Sequence, residues 1–156
     1  MAGAAMMTEE AIASALKEFA NGATIRELKG ISNEEIEAIY SMGTAFYKAG
    51  NYKDAEKVFK FLVVFDHTSS RFWTAMASLR QIEKKFEEAL CYYQFASFLD
   101  LGNPRPVYYA AECYVALGRK EEALDALENA EKYGKDSPAW QTIGPKAEAL
   151  RALISK

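Results

Sequence analysis

The chain has 156 residues, of which 50% are hydrophobic and 26% charged, with a formal net charge of −3. That is enough apolar material for one core without disulfide staples, and with no basic block to track a phosphate backbone, nucleic acid is excluded as an expected partner. No apolar run is long enough to span a bilayer, and Met1 to Met7 lacks the basic start and apolar core of a secretory signal, so the expectation is a cytoplasmic protein without direct membrane insertion.

Thr8 followed by Glu9 and Glu10 predicts a helix start, a side-chain acceptor with acidic residues at the positive end of the dipole. Ile12, Leu16 and Phe19, with Ala20, then form one apolar stripe, and Asn21-Gly22 ends it. Thr24 with Glu27 and Ser32 with Glu35 have capping-box spacing, which predicts a short helical turn ending at Gly30 and a longer helix beginning near Asn33. The N-terminal helix stands outside everything that follows, so its stripe of Ile12, Leu16 and Phe19 is the expected dimerisation surface. The alternative is that it packs back on its own chain.

From Ile36 the pattern becomes periodic. Ala55, Ala89 and Ala123 stand 34 residues apart, the length of a tetratricopeptide repeat. Gly43, Ala77 and Ala111 keep the same register, as do Phe59, Tyr93 and Leu127, and Leu62, Ala96 and Ala130. The fold class expected is therefore all-α, with three tandem tetratricopeptide repeats between an N-terminal helix and a C-terminal capping helix. The divisions are 1–35, a helical segment, 36–137, the repeats, and 138–156, the cap. Within the repeats, helices should part at Gly50-Asn51, at Lys84-Lys85 and at Gly118. After Ser137-Pro138, read as an N-cap and first-turn pair, Trp140, Ile143, Ala147, Leu150 and Ile154 keep helical spacing. Gly144-Pro145 predicts a kink or split in that last helix.

In such hairpins the first helix lines a concave face. Repeat positions 4, 7, 8 and 11 point between helices, making Trp73, Met76, Ala77, Ala111 and Tyr114 core candidates. Positions 2, 5, 9 and 12 point into the groove. They are Glu37, Tyr40, Thr44 and Tyr47, then Arg71, Thr74, Ser78 and Gln81, then Arg105, Tyr108, Glu112 and Val115. Tyrosines and arginines on an open face are binding equipment, since a ring offers apolar area and a hydroxyl at little entropic cost. The competing reading is that Tyr40, Tyr47 and Tyr108 fill space against the terminal helices.

Catalytic and metal chemistry find no support. Cys91 and Cys113 lie in different hairpins without ligand spacing and read as reduced, packed thiols. His67 is the only histidine, too few for a zinc site or for a Ser-His or Cys-His pair with a recognised nucleophile motif. No Gly-rich phosphate loop is present. Neither a cofactor nor a metal is expected, and Arg119-Lys120-Glu121-Glu122 is a solvated helix start.

Three segments carry a more specific likeness. FKFLVVFDHTSSRFWTAMASLRQ from Phe59 to Gln81 resembles the first-to-second repeat junction of the class II chaperones of bacterial type III secretion systems. PVYYAAECYVALGRKEE from Pro106 to Glu122 resembles their third repeat, and NGATIRELKGIS followed by IYSMGTAFYKAG resembles their N-terminal helix, short turn and first repeat. Asp66, the Arg80-Gln81 pair and Ala110 to Cys113 are not demanded by a generic repeat. The resemblance implies a non-enzymatic, homodimeric chaperone that holds the two pore-forming translocator subunits in the bacterial cytoplasm. It implies a groove for an extended translocator segment of Pro-x-Leu-x-x-Pro spacing, with Tyr40, Thr44 and Tyr47 lining its pockets and Arg71 and Gln81 reaching peptide carbonyls. Thr44 departs from the aromatic residue that family members often carry. His67, Leu101 and Lys135 depart from the proline that often closes a generic repeat. Other peptide-binding repeat modules and a structural adaptor are the alternatives; a carboxylate-clamping co-chaperone would want Lys and Asn where Tyr40 and Thr44 stand.

Overall fold

The computed structural model describes residues 9–156, apart from the side chains of Glu9, Ala11, Ile12, Ala15, Leu16 and Phe19. Among the described residues there are nine α-helices and no strand. They are α1 (Glu9–Ala20), α2 (Ile25–Lys29), α3 (Asn33–Lys48), α4 (Tyr52–Phe65), α5 (Ser70–Ile82), α6 (Phe86–Leu99), α7 (Pro104–Ala116), α8 (Lys120–Gly134) and α9 (Trp140–Ile154). Thr8, expected to cap α1, and the stripe side chains Ile12, Leu16 and Phe19 lie outside the described residues.

Both capping boxes form. Thr24 Oγ1 accepts from Glu27 N at 3.2 Å while Glu27 Oε2 accepts from Thr24 N at 2.7 Å, and Ser32 and Glu35 repeat the exchange at 3.2 and 2.8 Å. Arg26 then ties this entry to the body, donating to Asp66 Oδ2 at 3.2 Å and to the Ile31 carbonyl at 3.3 Å. The three hairpin corners share one backbone solution, a left-handed residue. Gly50 and Gly118 supply it in the first and third repeats, whereas Lys84, at φ +61°, supplies it in the second.

α3 pairs with α4, α5 with α6 and α7 with α8, each hairpin stacks on the next, and α9 closes the end against α7 and α8. The small-residue columns are where helices touch: Ala55, Ala77, Ala89, Ala111 and Ala123 are all fully buried. Phe72 and Leu79, at 1% exposure each, carry more of the core than the expected Trp73, which is half-buried, donates to the His67 carbonyl at 2.7 Å and meets Phe95 edge-on. Tyr114 is likewise half-buried, its hydroxyl accepting from Gln94 at 3.1 Å.

Three further expectations are corrected. α9 is one helix, not split at Gly144-Pro145. The proline removes only the bond to the carbonyl of exposed Gln141, and Gly144 packs on the Trp140 ring, where a Cβ would come within 2.9 Å of Nε1. Its N-cap is Ala139; Ser137 instead accepts from Ala139 N at 3.3 Å in the preceding turn. Of the thiols, Cys113 is buried but Cys91 is exposed rather than packed, because it falls on the outer side of α6.

Candidate functional site

The first helices of the hairpins enclose a cavity of about 680 Å³. Tyr40, Thr44 and Tyr47 of α3 form one wall, Ser78 and Gln81 of α5 the floor, and Glu112 of α7 the far side, all from the expected set. A second cavity of about 370 Å³ adjoins it, sharing Tyr40, Ala75 and Ser78 and adding Arg71, Thr74 and Arg105. Tyr40 is held between Phe59 and Phe72, ring centroids 6.0 and 5.8 Å apart, and the Arg71 guanidinium lies 4.3 Å from its centroid. Arg71 also pairs with the Glu37 carboxylate.

Beneath the aromatic wall runs a polar network linking α5, α6 and α7. The Tyr93 hydroxyl donates to Gln81 Oε1 at 2.7 Å, Gln81 Nε2 donates to Glu112 Oε2 at 3.0 Å, and the Tyr108 hydroxyl donates to Glu112 Oε1 at 2.8 Å. Ser78 Oγ sits 3.2 Å from the Tyr93 oxygen. Burial raises the phenol pKa values of Tyr93, Tyr108 and Tyr47, so these three hydroxyls stay neutral at any physiological pH. Burial, with the Glu112 charge added, pushes the Cys113 thiol up to about 12. Thr44, also in the lining, spends its hydroxyl on the Tyr40 carbonyl at 2.9 Å. Such a site buries apolar side chains and offers hydrogen bonds, without a paired nucleophile and base.

Family models described as tetratricopeptide repeat match residues 36–68 and 82–153. The low calcium response locus protein H of Yersinia pseudotuberculosis is 33% identical over 133 residues, 85% of this chain and 79% of that protein. The Yersinia enterocolitica type III secretion chaperone SycD, crystallised with a peptide of the translocator YopD, superposes with a TM-score of 0.73 at 30% identity, covering 80% of this chain and 95% of that one. An alternative dimer of SycD gives a TM-score of 0.74 at 30% identity, with the same coverage of 80% and 95%. The chain belongs to the class II chaperones of type III secretion.

These are chaperones, not enzymes. In this chaperone three expected groove residues, Glu37, Tyr108 and Val115, line neither cavity. Tyr108 is 5% exposed and packs with Ile143 and Ala147 of α9, the space-filling alternative. Its neighbour Tyr109 lines the cavity instead. The apolar stripe of α9 needs a partner on α7, and a position-5 tyrosine is the largest group on that face; that demand was the available signal. Sequence reasoning also missed Phe59, Phe86 and Tyr93, because no second-helix position was assigned to the groove, and Lys48, Ala75, Ile82 and the corner residue Lys84, because they fall outside the four repeat positions that were assigned.

Proposed function

We propose that this chaperone holds the hydrophobic, pore-forming translocator subunits of a type III secretion system, gripping an extended N-terminal segment of each in the concave groove. The observation that carries the reading is the aromatic cavity over a fixed polar floor, at the place where alternate side chains of an extended chain would enter. Tyr40, Thr44 and Tyr47 take the apolar anchors; Arg71 and Gln81 bind peptide carbonyls; Thr74, Ser78, Arg105 and Glu112 complete the lining. Tyr108 acts from behind, through its bond to Glu112. That SycD is crystallised with a peptide of its translocator supports the assignment.

The chaperone works in the bacterial cytoplasm, before export; among the described residues no helix is long and apolar enough to cross a membrane. Residues 36–137 are the binding unit, 138–156 its cap, and 1–35 the self-association segment, with Ile12, Leu16 and Phe19 at the dimer contact. That SycD forms a dimer supports self-association. The test is titration of a labelled N-terminal translocator peptide. Tyr40→Ala and Tyr47→Ala should each weaken binding by about 2 kcal/mol, roughly thirtyfold. Unchanged affinity in both variants overturns the groove assignment.

A further inference from the structure

The two adjoining cavities are lined by four cations, Lys48, Lys84, Arg71 and Arg105, against one carboxylate, Glu112. This excess sits on a chain whose net charge is −3. Glu112, which accepts from Gln81 and Tyr108, lines only the larger cavity, so the smaller one has no carboxylate in its lining. The smaller cavity is the more one-sided. Thr74 and Ser78 donate their hydroxyl protons to the Ser70 and Thr74 carbonyls at 2.8 and 3.0 Å. Asn103 Oδ1 is taken by Arg105 N at 3.1 Å, leaving its amide NH2 without a partner among the described residues. The Arg105 guanidinium has no acceptor among them either, while Arg71, opposite, holds Glu37 with one edge and faces Tyr40. A cavity with donors to spare and no free carboxylate is built for an acceptor, and a guanidinium fork matches a carboxylate best.

We propose that the cavity between Arg71 and Arg105 is a carboxylate pocket that receives an acidic side chain of the bound translocator segment, next to its apolar anchors. The proposal rests on the groove reading above and adds a charge to the sequence that the groove selects. Arg105 is the specificity-determining residue, and Arg71 the positioning one, since its pairing with Glu37 leaves it partly neutralised.

The probe is a set of fluorescein-labelled peptides built on Pro-Ala-Leu-Ala-Ala-Pro, each with a single Glu, or the matched Gln, at one flanking position in turn. They are titrated into full-length chaperone by anisotropy. At one position the Glu peptide should bind about fivefold or more tightly than its Gln partner, and the ratio should shrink at about 0.5 M salt. In Arg105→Gln the ratio should fall to about one; in Lys132→Gln, which removes an equal charge from exposed α8, it should persist. Far-UV dichroism checks that both variants fold. Equal affinities at every position, or a preference that survives Arg105→Gln, overturn the pocket while leaving the groove standing. Failure of every peptide to bind overturns both.

Discussion

Gly43→Ala probes the contact that joins the first hairpin to the wall of the groove. A Cβ at Gly43 would stand 2.6 Å from Phe59 Cε1, 2.9 Å from Val58 Cγ1 and 3.0 Å from Phe59 Cδ1. The two Phe59 atoms belong to a ring that is 3% exposed and lines the main cavity, so it has no free direction except toward the groove. Alanine gains about 1 kcal/mol of helix propensity over glycine, while overpacking a well-filled contact costs about 1–3 kcal/mol. At separations this short the overpacking cost falls in the upper half of that range, about 2–3 kcal/mol, and the net destabilisation should be about 1–2 kcal/mol. For a chain of this size that lowers the melting temperature by about 2–8 °C. Gly102→Ala, where a Cβ meets nothing within 4 Å, is the control and should stay within about 0.5 kcal/mol. Far-UV dichroism melts compare the two. A Gly43→Ala protein that melts at or above wild type would show that propensity, not close approach, governs this column.

Lys84→Gly should stabilise the fold by about 0.5–1 kcal/mol in urea titration, because a left-handed lysine is strained where glycine is not. Lys60 and Arg80 hold the Glu56 carboxyl below its usual 4.5, and Arg80 does the same to Glu83, so the stability they contribute is present above about pH 4.5 and lost as pH falls below it. Arg80→Met should lower the urea midpoint at pH 7 and flatten that acid limb. Ellman's reagent should titrate exposed Cys91 quickly and buried Cys113 only on unfolding; two fast thiols would contradict the packing of α7 against α6. Sedimentation should give a dimer for the full chain and a monomer for protein starting at Asn21, and identical behaviour of the two removes α1 from the interface.

Local chemistry explains what was legible. The capping boxes, the left-handed corners and the 34-residue register are properties of a few neighbouring residues, and they place all the helices of the repeats. The groove was legible to the extent that it depends on one helix face: Tyr40, Thr44, Tyr47, Ser78, Gln81 and Glu112 do converge. It failed where a distant element competes for the same residue. Tyr108 lies on the periodic face, yet α9 returns to claim it, and only then does Tyr109 become the groove residue. The Arg80 hub was invisible for the same reason, its partners Glu56, Glu83 and Glu88 coming from α4, from the corner after α5 and from α6.

That hub bears on how the groove can tolerate strain. The second repeat has lysine where the others have glycine, and the left-handed conformation it must adopt puts an ammonium-bearing side chain on the cavity lining. Such a residue persists only where its surroundings over-determine it. Here they do: Lys85 N donates to the Arg80 carbonyl at 2.8 Å, and the Arg80 side chain, 8% exposed, is clamped by carboxylates on both sides of the corner. Glycine would relieve the corner, but it would leave the two adjoining cavities with three cations instead of four. The strain at Lys84 therefore goes with charge at the groove, and a Lys84→Gly protein that is more stable yet binds acidic peptides less tightly is the signature of that exchange.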